Sequence, residues 1–224
     1  MMKMIAVIPA YNESRHVGAV ARGARQYVEE VIVVDDGSTD GTAARAQEAG
    51  AVVVSHSMNC GPGAATMTGI CAARALGADV VVTLDADGQH SPANIRALLD
   101  PVLAGQADLV IGTRFRGPKN TIPCIRRLFN GLGNAFTYMT TGRYVSDSQS
   151  GFKAFGPVAL RKVNLHLSGF EFCTEIIREA EQHRWRVLEI PIRVTYSEYT
   201  LAKGQSFSRG VITAGKILLR AFLR

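Results

Sequence analysis

Five short runs of β-branched and aliphatic residues, at positions 4–8, 31–34, 51–54, 80–84 and 109–111, recur through the first half of the chain with helical patterns or turn signals between them. Runs of this length that are apolar on both faces read as strands buried from both sides, and such strands belong to a parallel sheet covered by helices. Between the first two runs, Val17, Val20, Ala21, Ala24 and Val28 repeat at helical spacing and supply one apolar stripe to lie against that sheet. The repeating unit is a strand followed by a helix, which predicts an α/β, doubly wound, mostly parallel sheet flanked by helices. With 224 residues and neither a linker nor an internal repeat, the chain is expected to form a single domain with a core of its own.

In open sheets of this kind ligands bind beyond the carboxyl ends of the strands, where loops converge and helix N-termini point inward. That rule selects three polar clusters: Pro9-Ala10-Tyr11-Asn12-Glu13 after the first run, Asp35-Asp36-Gly37-Ser38 after the second, and Asp85-Ala86-Asp87-Gly88-Gln89-His90 after the fourth. Asp85 and Asp87 can both face a cleft if the chain turns at Gly88. Mg²⁺ or Mn²⁺ takes one or two such carboxylates and completes its shell with water and phosphate oxygens. Gln89 offers a further oxygen and His90 a nitrogen. The same residues also suit an ordinary Asp-capped turn, and Asp35 to Thr42 suits a helix cap, although capping needs one residue rather than two carboxylates. An acidic residue at the end of a second strand can instead accept hydrogen bonds from a base or ribose. Gly61-Pro62-Gly63-Ala64-Ala65 lets the backbone approach a ligand, but it is not a Walker loop and lacks the third glycine of a dinucleotide fingerprint, which argues against a dehydrogenase.

Beyond about residue 115 the periodicity weakens. Turn-rich stretches near residues 117–118, 131–133 and 147–151 alternate with Phe129, Leu132, Phe136, Phe152 and Phe155, so an irregular but packed region is expected, followed by a helix over 171–183 and a strand over 186–194. The formal charge of +6 concentrates in this half: Arg114, Arg116, Lys119, Arg126, Arg127 and Arg143 in one stretch, and Lys203, Arg209, Lys216, Arg220 and Arg224 in another. A basic surplus suits nucleic acid, anionic lipid or a phosphorylated substrate. No aromatic-rich RNA-binding pattern or basic recognition helix accompanies it, so nucleic acid is not an expected partner. Cys60, Cys71, Cys124 and Cys173 form no CxxC pair and no signal-like leader precedes them, which points to a reducing cytoplasm. No run reaches the roughly 18 apolar residues that a membrane span requires.

The ordered set Ile8-Pro9-Ala10-Tyr11-Asn12-Glu13, residues 33–42, residues 59–65, Leu84 through His90, Gly112-Thr113-Arg114-Phe115 and Asp147-Ser148-Gln149-Ser150-Gly151-Phe152-Lys153 resembles family 2 glycosyltransferases of the GT-A fold. Within them it is most similar to the polyprenyl-phosphate (dolichol-phosphate) mannosyl- and glucosyltransferase branch, from about residue 4 to 206. The resemblance implies an inverting, metal-dependent hexosyltransferase that uses a nucleotide-sugar donor, GDP-mannose or UDP-glucose, and a polyprenyl-phosphate acceptor. It implies that Pro9, Tyr11, Glu13 and Asp36 hold the nucleotide, with Asn59, Gly63, Asp85 and Lys203 contributing to the donor, and that Asp85, Asp87 and Gln89 hold Mg²⁺ or Mn²⁺. Asp147 matches the catalytic-aspartate region: a general base for a hydroxyl acceptor, or a residue that orients the acceptor or a cation where the acceptor is an ionised phosphate. Arg114 and Arg126 or Arg127 are candidates to clamp an acceptor phosphate, because guanidinium binds phosphate in bidentate fashion. Glu171 and Glu175, one helical turn apart, match a family acidic motif or serve as surface and capping groups. Where the branch places a lysine after Ser206, this chain has Phe207.

From residue 207 on, Arg209, Thr213, Lys216, Arg220 and Arg224 lie mostly opposite Val211, Leu218, Leu219 and Phe222. The expected division is therefore a GT-A domain over 1–206 and a basic amphipathic helix over 207–224. That helix suits an anionic membrane surface, its own domain, a second subunit or a membrane-protein partner, and the enzyme is expected in the cytoplasm, peripheral on the cytoplasmic face of the membrane. Two other readings stay open: the same donor chemistry on a glycan or glycolipid hydroxyl, and a non-catalytic nucleotide-sugar-binding subunit.

Overall fold

The structure, a computed structural model, describes residues 2–116 and 122–195. Lys119, Lys203 and the basic segment 207–224 lie outside the described residues. Seven strands form one sheet: β1 (Met4–Ala10), β2 (Glu30–Asp35), β3 (Val52–Ser55), β4 (Val80–Thr83), β5 (Leu109–Thr113), β6 (Lys153–Phe155) and β7 (Val187–Pro191), in the order β3-β2-β1-β4-β6-β5-β7. All neighbours are parallel except β6, which runs antiparallel to both β4 and β5. Each of the five apolar runs is a strand, and the expected mostly parallel α/β sheet is the architecture found.

The alternation of side chains along these strands divides the core into two layers. Ala6, Ile8, Val31, Val33, Val80 and Val82 pack on one face, where α1 (Val17–Ala24) and α4 (Ile95–Leu103) lay down Val17, Val20, Ala21, Leu98 and Leu99. Ile5, Val7, Ile32, Val34 and Val81 pack on the other, beneath α3 (Pro62–Ala75), α6 (Pro157–Lys162) and α7 (Phe172–Gln182), which contribute Ile70, Leu160, Ile176 and Ile177. The predicted stripe on α1 is wholly buried, as is Val28 beyond its end. Between β2 and β3 runs α2 (Thr42–Glu48).

The region expected to be irregular differs most from the sequence reading. It holds an 18-residue helix, α5 (Cys124–Thr141), the three-residue strand β6, and α6. Among the described residues, no helix is long and apolar enough to cross a membrane.

Candidate active site

Parallel pairing of β1, β2 and β4 brings their carboxyl ends to one edge, with Ala10 level with Asp35. The loops beyond are stitched together by side chains. Ser38 Oγ accepts from the Asn12 N–H (2.9 Å), Asn12 Oδ1 from the Thr39 N–H (2.9 Å), and Thr42 Oγ1 from the Glu13 N–H (2.8 Å). Glu13 is buried, Tyr11 stands exposed at the strand end, and Pro9 lies within β1 level with Val34.

Asp36 is buried under the same edge. Its Oδ1 lies 2.7 Å from His56 Nδ1 and accepts from the Cys60 N–H at 2.8 Å, while Oδ2 accepts from the Gly61 N–H at 2.8 Å. His56 Nε2 in turn meets Thr68 Oγ1 at 3.0 Å. The carboxylate therefore fixes the loop that carries Asn59, which is itself exposed. Among the described residues, Asp36, His56 and Cys60 are the one group of three His, Cys, Asp or Glu ligand atoms within 4.8 Å of one another. The Asp36 and His56 atoms are already engaged in the hydrogen bonds just described, so the group reads as a hydrogen-bonded cradle. Gly63 is explained by packing: its N–H donates to Ser168 O at 2.7 Å, and a Cβ there would stand 2.0 Å from Leu167 O.

At the end of β4, Gly88 turns the chain at φ +74°, and Asp87 Oδ1 accepts from the Gln89 N–H at 2.8 Å. The Asp85 side chain is 44% exposed to the cleft, yet the surrounding protein raises its carboxyl above the ordinary value, with Arg114 and Lys153 opposing that rise. Burial also raises Asp87, followed by repulsion from Asp85. His90 is buried, and burial, then Arg114, lowers its imidazole to about 4. Its Nδ1 lies 3.3 Å from Asp85 Oδ2 but outside hydrogen-bond geometry, and neither ring nitrogen has a hydrogen-bond partner.

Thr83 pairs with Lys153 across β4 and β6, and this antiparallel contact brings the Asp147–Lys153 motif to Asp85. Thr83 Oγ1 donates to Gly151 O at 2.8 Å. A Cβ on Gly151 would lie 2.3 Å from Asp85 Oδ1, so this glycine makes room for the carboxylate. Lys153 is fully buried, and its ammonium donates to Ser150 O and lies 3.8 Å from Cys173 Sγ. Its place in the sequence motif assigns it no role. Only the antiparallel pairing shows that it is an internal cation beside Asp85.

Arg114 follows β5, and its Nε and NH2 donate to the two oxygens of Asp147, each at 2.7 Å, while its backbone N–H adds a third bond at 3.0 Å. Asp147 is 0% exposed. Ser146 is anchored beside it by Thr113 Oγ1 at 2.8 Å and by Glu189 Oε1, which accepts from its N–H at 2.7 Å and its hydroxyl at 2.6 Å. Arg126 stands partly exposed in the first turn of α5. Buried Glu175 accepts from the N–H groups of His166 and Leu167, at 3.1 and 2.9 Å, and so ties down the loop that meets Gly63.

The residues present fit a hard divalent cation. Asp85, Asp87 and Asp147 set three carboxylates against the two cations Arg114 and Lys153, and the first two carboxyls are raised by burial, with their neighbouring carboxylates adding to the rise. A cation bound there would be held by Asp85 and Asp87, with Gln89 beside them.

Glycosyl transferase family 2 matches residues 5–165. The UDP-N-acetylglucosamine–dolichyl-phosphate N-acetylglucosaminyltransferase of Methanococcus voltae is 34% identical over 227 residues, covering 91% of this chain and 90% of that protein. The polyprenol monophosphomannose synthase of Mycolicibacterium smegmatis is 32% identical, covering 90% and 80%. The glucosyl-3-phosphoglycerate synthase of Mycobacterium tuberculosis, solved with Mn²⁺, uridine diphosphate and phosphoglyceric acid, superposes with a TM-score of 0.69 at 22% identity over 90% of this chain and 74% of that one, a likeness of fold. With its strand-end carboxylates on one edge and a family match over residues 5–165, the chain belongs to glycosyl transferase family 2.

Proposed function

We propose that the protein transfers a hexose, with inversion, from a nucleoside-diphosphate sugar to a polyprenyl phosphate. The observation that carries this reading is the closed pair of Asp147 and Arg114. A hydroxyl acceptor needs a base within hydrogen-bond reach to take its proton. Asp147, the residue matched to that role, has both oxygens held by Arg114 and no surface exposed. A phosphate acceptor is already ionised and needs no such base. Asp147 then works by holding Arg114 in one orientation at the end of β5, as a preset cation for the acceptor phosphate. The names of the two relatives above support a lipid-phosphate acceptor.

On the donor side, the loops after β1 and β2 and the segment fixed by Asp36 form the nucleotide cradle, with Tyr11, Glu13 and Asn59 on its walls. Asp85 and Asp87 would hold Mg²⁺ or Mn²⁺, which supplies Lewis-acid neutralisation of the leaving diphosphate. GDP-mannose and UDP-glucose remain candidate donors, and the dolichyl-phosphate relative adds UDP-N-acetylglucosamine.

Purified protein is assayed with these three donors, Mn²⁺ or Mg²⁺, and either a short polyprenyl phosphate or the corresponding alcohol. Transfer to the phosphate and not to the alcohol is expected. Equal transfer to the alcohol would overturn the reading.

A further inference from the structure

The pair of Arg114 and Asp147 has a second rung beside it in the same register. Thr113 and Ser146, the residues immediately before them, meet hydroxyl to hydroxyl at 2.8 Å, and both pairs span the same 33 residues. The protons on these hydroxyls can be placed. Ser146 Oγ donates to Glu189 Oε1 at 2.6 Å, and a hydroxyl has a single proton to give, so towards Thr113 it accepts. Thr113 therefore donates to Ser146, and its own oxygen accepts from the Phe115 N–H at 3.3 Å. A directed chain results, from Phe115 through Thr113 and Ser146 to Glu189, and the members of such a chain polarise and strengthen one another. Thr113 and Phe115 flank Arg114, so the chain brackets the arginine along its backbone.

Glu189 is where the chain ends. It lies on β7 level with Ile111 of β5, and its side chain is 9% exposed. Its Oε1 also accepts from the Ser146 N–H at 2.7 Å, and its Oε2 lies 3.4 Å from Arg116 NH1. One carboxylate thus meets the residue before Asp147 and the second residue after Arg114. Taking a carboxylate out of water is costly, and a guanidinium that is itself 55% exposed offsets little of that cost. A neutral amide would accept the same bonds for less. What the carboxylate adds is stiffness, because charge-assisted O–H···O bonds of about 2.5–2.7 Å are roughly twice as strong as neutral ones.

We infer that Glu189 is a positioning residue for the acceptor side of the reaction: without touching substrate, it fixes the direction in which Arg114 presents its guanidinium. This inference rests on the reading above in which Arg114 meets the acceptor phosphate. Asp147 holds the guanidinium itself, and Glu189 holds the two stretches of backbone from which Arg114 and Asp147 project. Every member of the chain belongs to β5 and its exit, to β7 or to the loop before β6, whereas the donor cradle is built on the ends of β1 to β3. Loosening Glu189 should therefore reach the acceptor and spare the donor.

The test places Glu189→Ala and Glu189→Gln in the full chain, with Arg114 intact and in the Arg114→Lys background, and assays transfer to a short polyprenyl phosphate with Mn²⁺ and a donor. Glu189→Ala is expected to lower kcat/KM for the polyprenyl phosphate by about tenfold and to leave donor KM unchanged. Glu189→Gln keeps an oxygen for Ser146 and should lose only about two- to threefold. In the Arg114→Lys background Glu189→Ala should add less than about twofold, since the fork it aims is already gone. Side-chain NMR reads the aim of Arg114 without turnover. The Arg114 Nε–H signal, assigned by its absence from Arg114→Lys, should exchange with water at least about tenfold faster in Glu189→Ala than in wild type. Should Glu189→Ala fail to fold, Thr113→Val cuts the same chain at its other end with little change of volume, and the same shifts are expected at smaller size. A lowered melting temperature with kcat/KM and exchange both unchanged would make Glu189 purely structural and overturn the inference. So would a Glu189→Ala loss of undiminished size in the Arg114→Lys background. Absence of transfer from every donor would remove the functional reading and leave exchange to decide the brace: faster exchange in Glu189→Ala upholds it, and equal exchange overturns it.

Discussion

Asp36 and Asp147 are both buried carboxylates beneath the same cleft, but the two halves of the molecule hold them by different means. In the N-terminal half Asp36 is answered by the N–H groups of Cys60 and Gly61 and by His56, groups set by the path of the chain after β2 and β3. In the C-terminal half Asp147 is answered chiefly by the guanidinium of Arg114, itself held in place by the same bonds. A carboxylate bound to backbone donors shapes a loop. One bound bidentately to an arginine aims a charge. Asp85 and Asp87 lie between the halves with less to answer them, one backbone N–H on Asp87 and no bidentate arginine on either, and burial raises both carboxyls.

The largest effect expected is at that middle position. Replacing Asp85 and Asp87 with alanine should lower transfer by at least about 10³-fold, since the role assigned to them is worth several kcal/mol in the transition state. It should leave the metal-free melting temperature unchanged or higher, because two mutually repelling carboxylates are removed. Wild type should be stabilised by Mn²⁺ with a donor and the double variant should not, as linkage requires. A double variant that melts well below wild type would show these carboxylates to be structural, like Asp36.

Next in size is the pair in the C-terminal half. Arg114→Lys and Asp147→Asn should each lower kcat/KM for the lipid phosphate by about 10²-fold, with donor KM unchanged, because the fork that aims the cation is lost. Removing one partner of a buried pair also costs about 3–5 kcal/mol at the fully buried limit, so activity is compared well below the melting point of each variant. The pH profile separates positioning from general-base chemistry. If Asp147 positions Arg114, the acid limb of kcat survives in Asp147→Asn. If that limb vanishes, Asp147 is the base and the acceptor is a hydroxyl.

The same contrast explains what the sequence made legible. β1 to β5 are visible because each is an apolar run closed by turn residues, and the cleft edge follows from them. β6 is three residues long and contains Lys153, so no run or alternation marks it, although it carries the second acidic motif to Asp85. α5 escapes a helical reading because Gly131, Gly133, Asn130 and Asn134 interrupt it, and Ile125, Leu128, Leu132 and Met139 stand exposed rather than set in a core of the described residues. Asp147 and Arg114 were each singled out, but their pairing spans 33 residues and depends on β6 entering the sheet between β4 and β5. Asp36 also accepts from the loop 24 and 25 residues further on, a contact that no local pattern records.

Asp36→Asn tests the loop-shaping role and should act on stability before chemistry. The amide keeps one oxygen where the carboxylate used two, so one of the Cys60 and Gly61 N–H groups is left facing an NH₂. An unanswered donor costs about 1–3 kcal/mol at full burial; both bonds here are only part-buried, so the lower end applies, a fall of about 2–4 °C in melting temperature for a chain of this size. Donor KM should rise while KM for the polyprenyl phosphate stays, the opposite of the Arg114→Lys pattern. A rise in acceptor KM instead would break the division between the halves.

The smallest effect lies at the start of β5, where the C-terminal half repeats its mode of closure away from the cleft. Asp108 accepts from the Arg186 N–H (2.8 Å), Nε (3.0 Å) and NH2 (2.9 Å), and hydrogen bonding to Arg186 lowers its carboxyl below the ordinary value. The folded state therefore favours the charged form more than the unfolded chain does. Its contribution is complete above the ordinary carboxylate value of about 4 and fades as pH falls through the lowered folded value. Much of the Arg186 side chain is in water, so the pair is screened and Asp108→Asn should lower the melting temperature by only about 1–3 °C at pH 7. Melting curves of wild type and variant should hold that gap from pH 7 down to about 4 and converge below it. A gap that widens on acidification would mean that Asp108 is protonated more readily in the fold than in the open chain. The bidentate pairing would then not be the force that closes this half, and the parallel with Asp147 and Arg114 would fail.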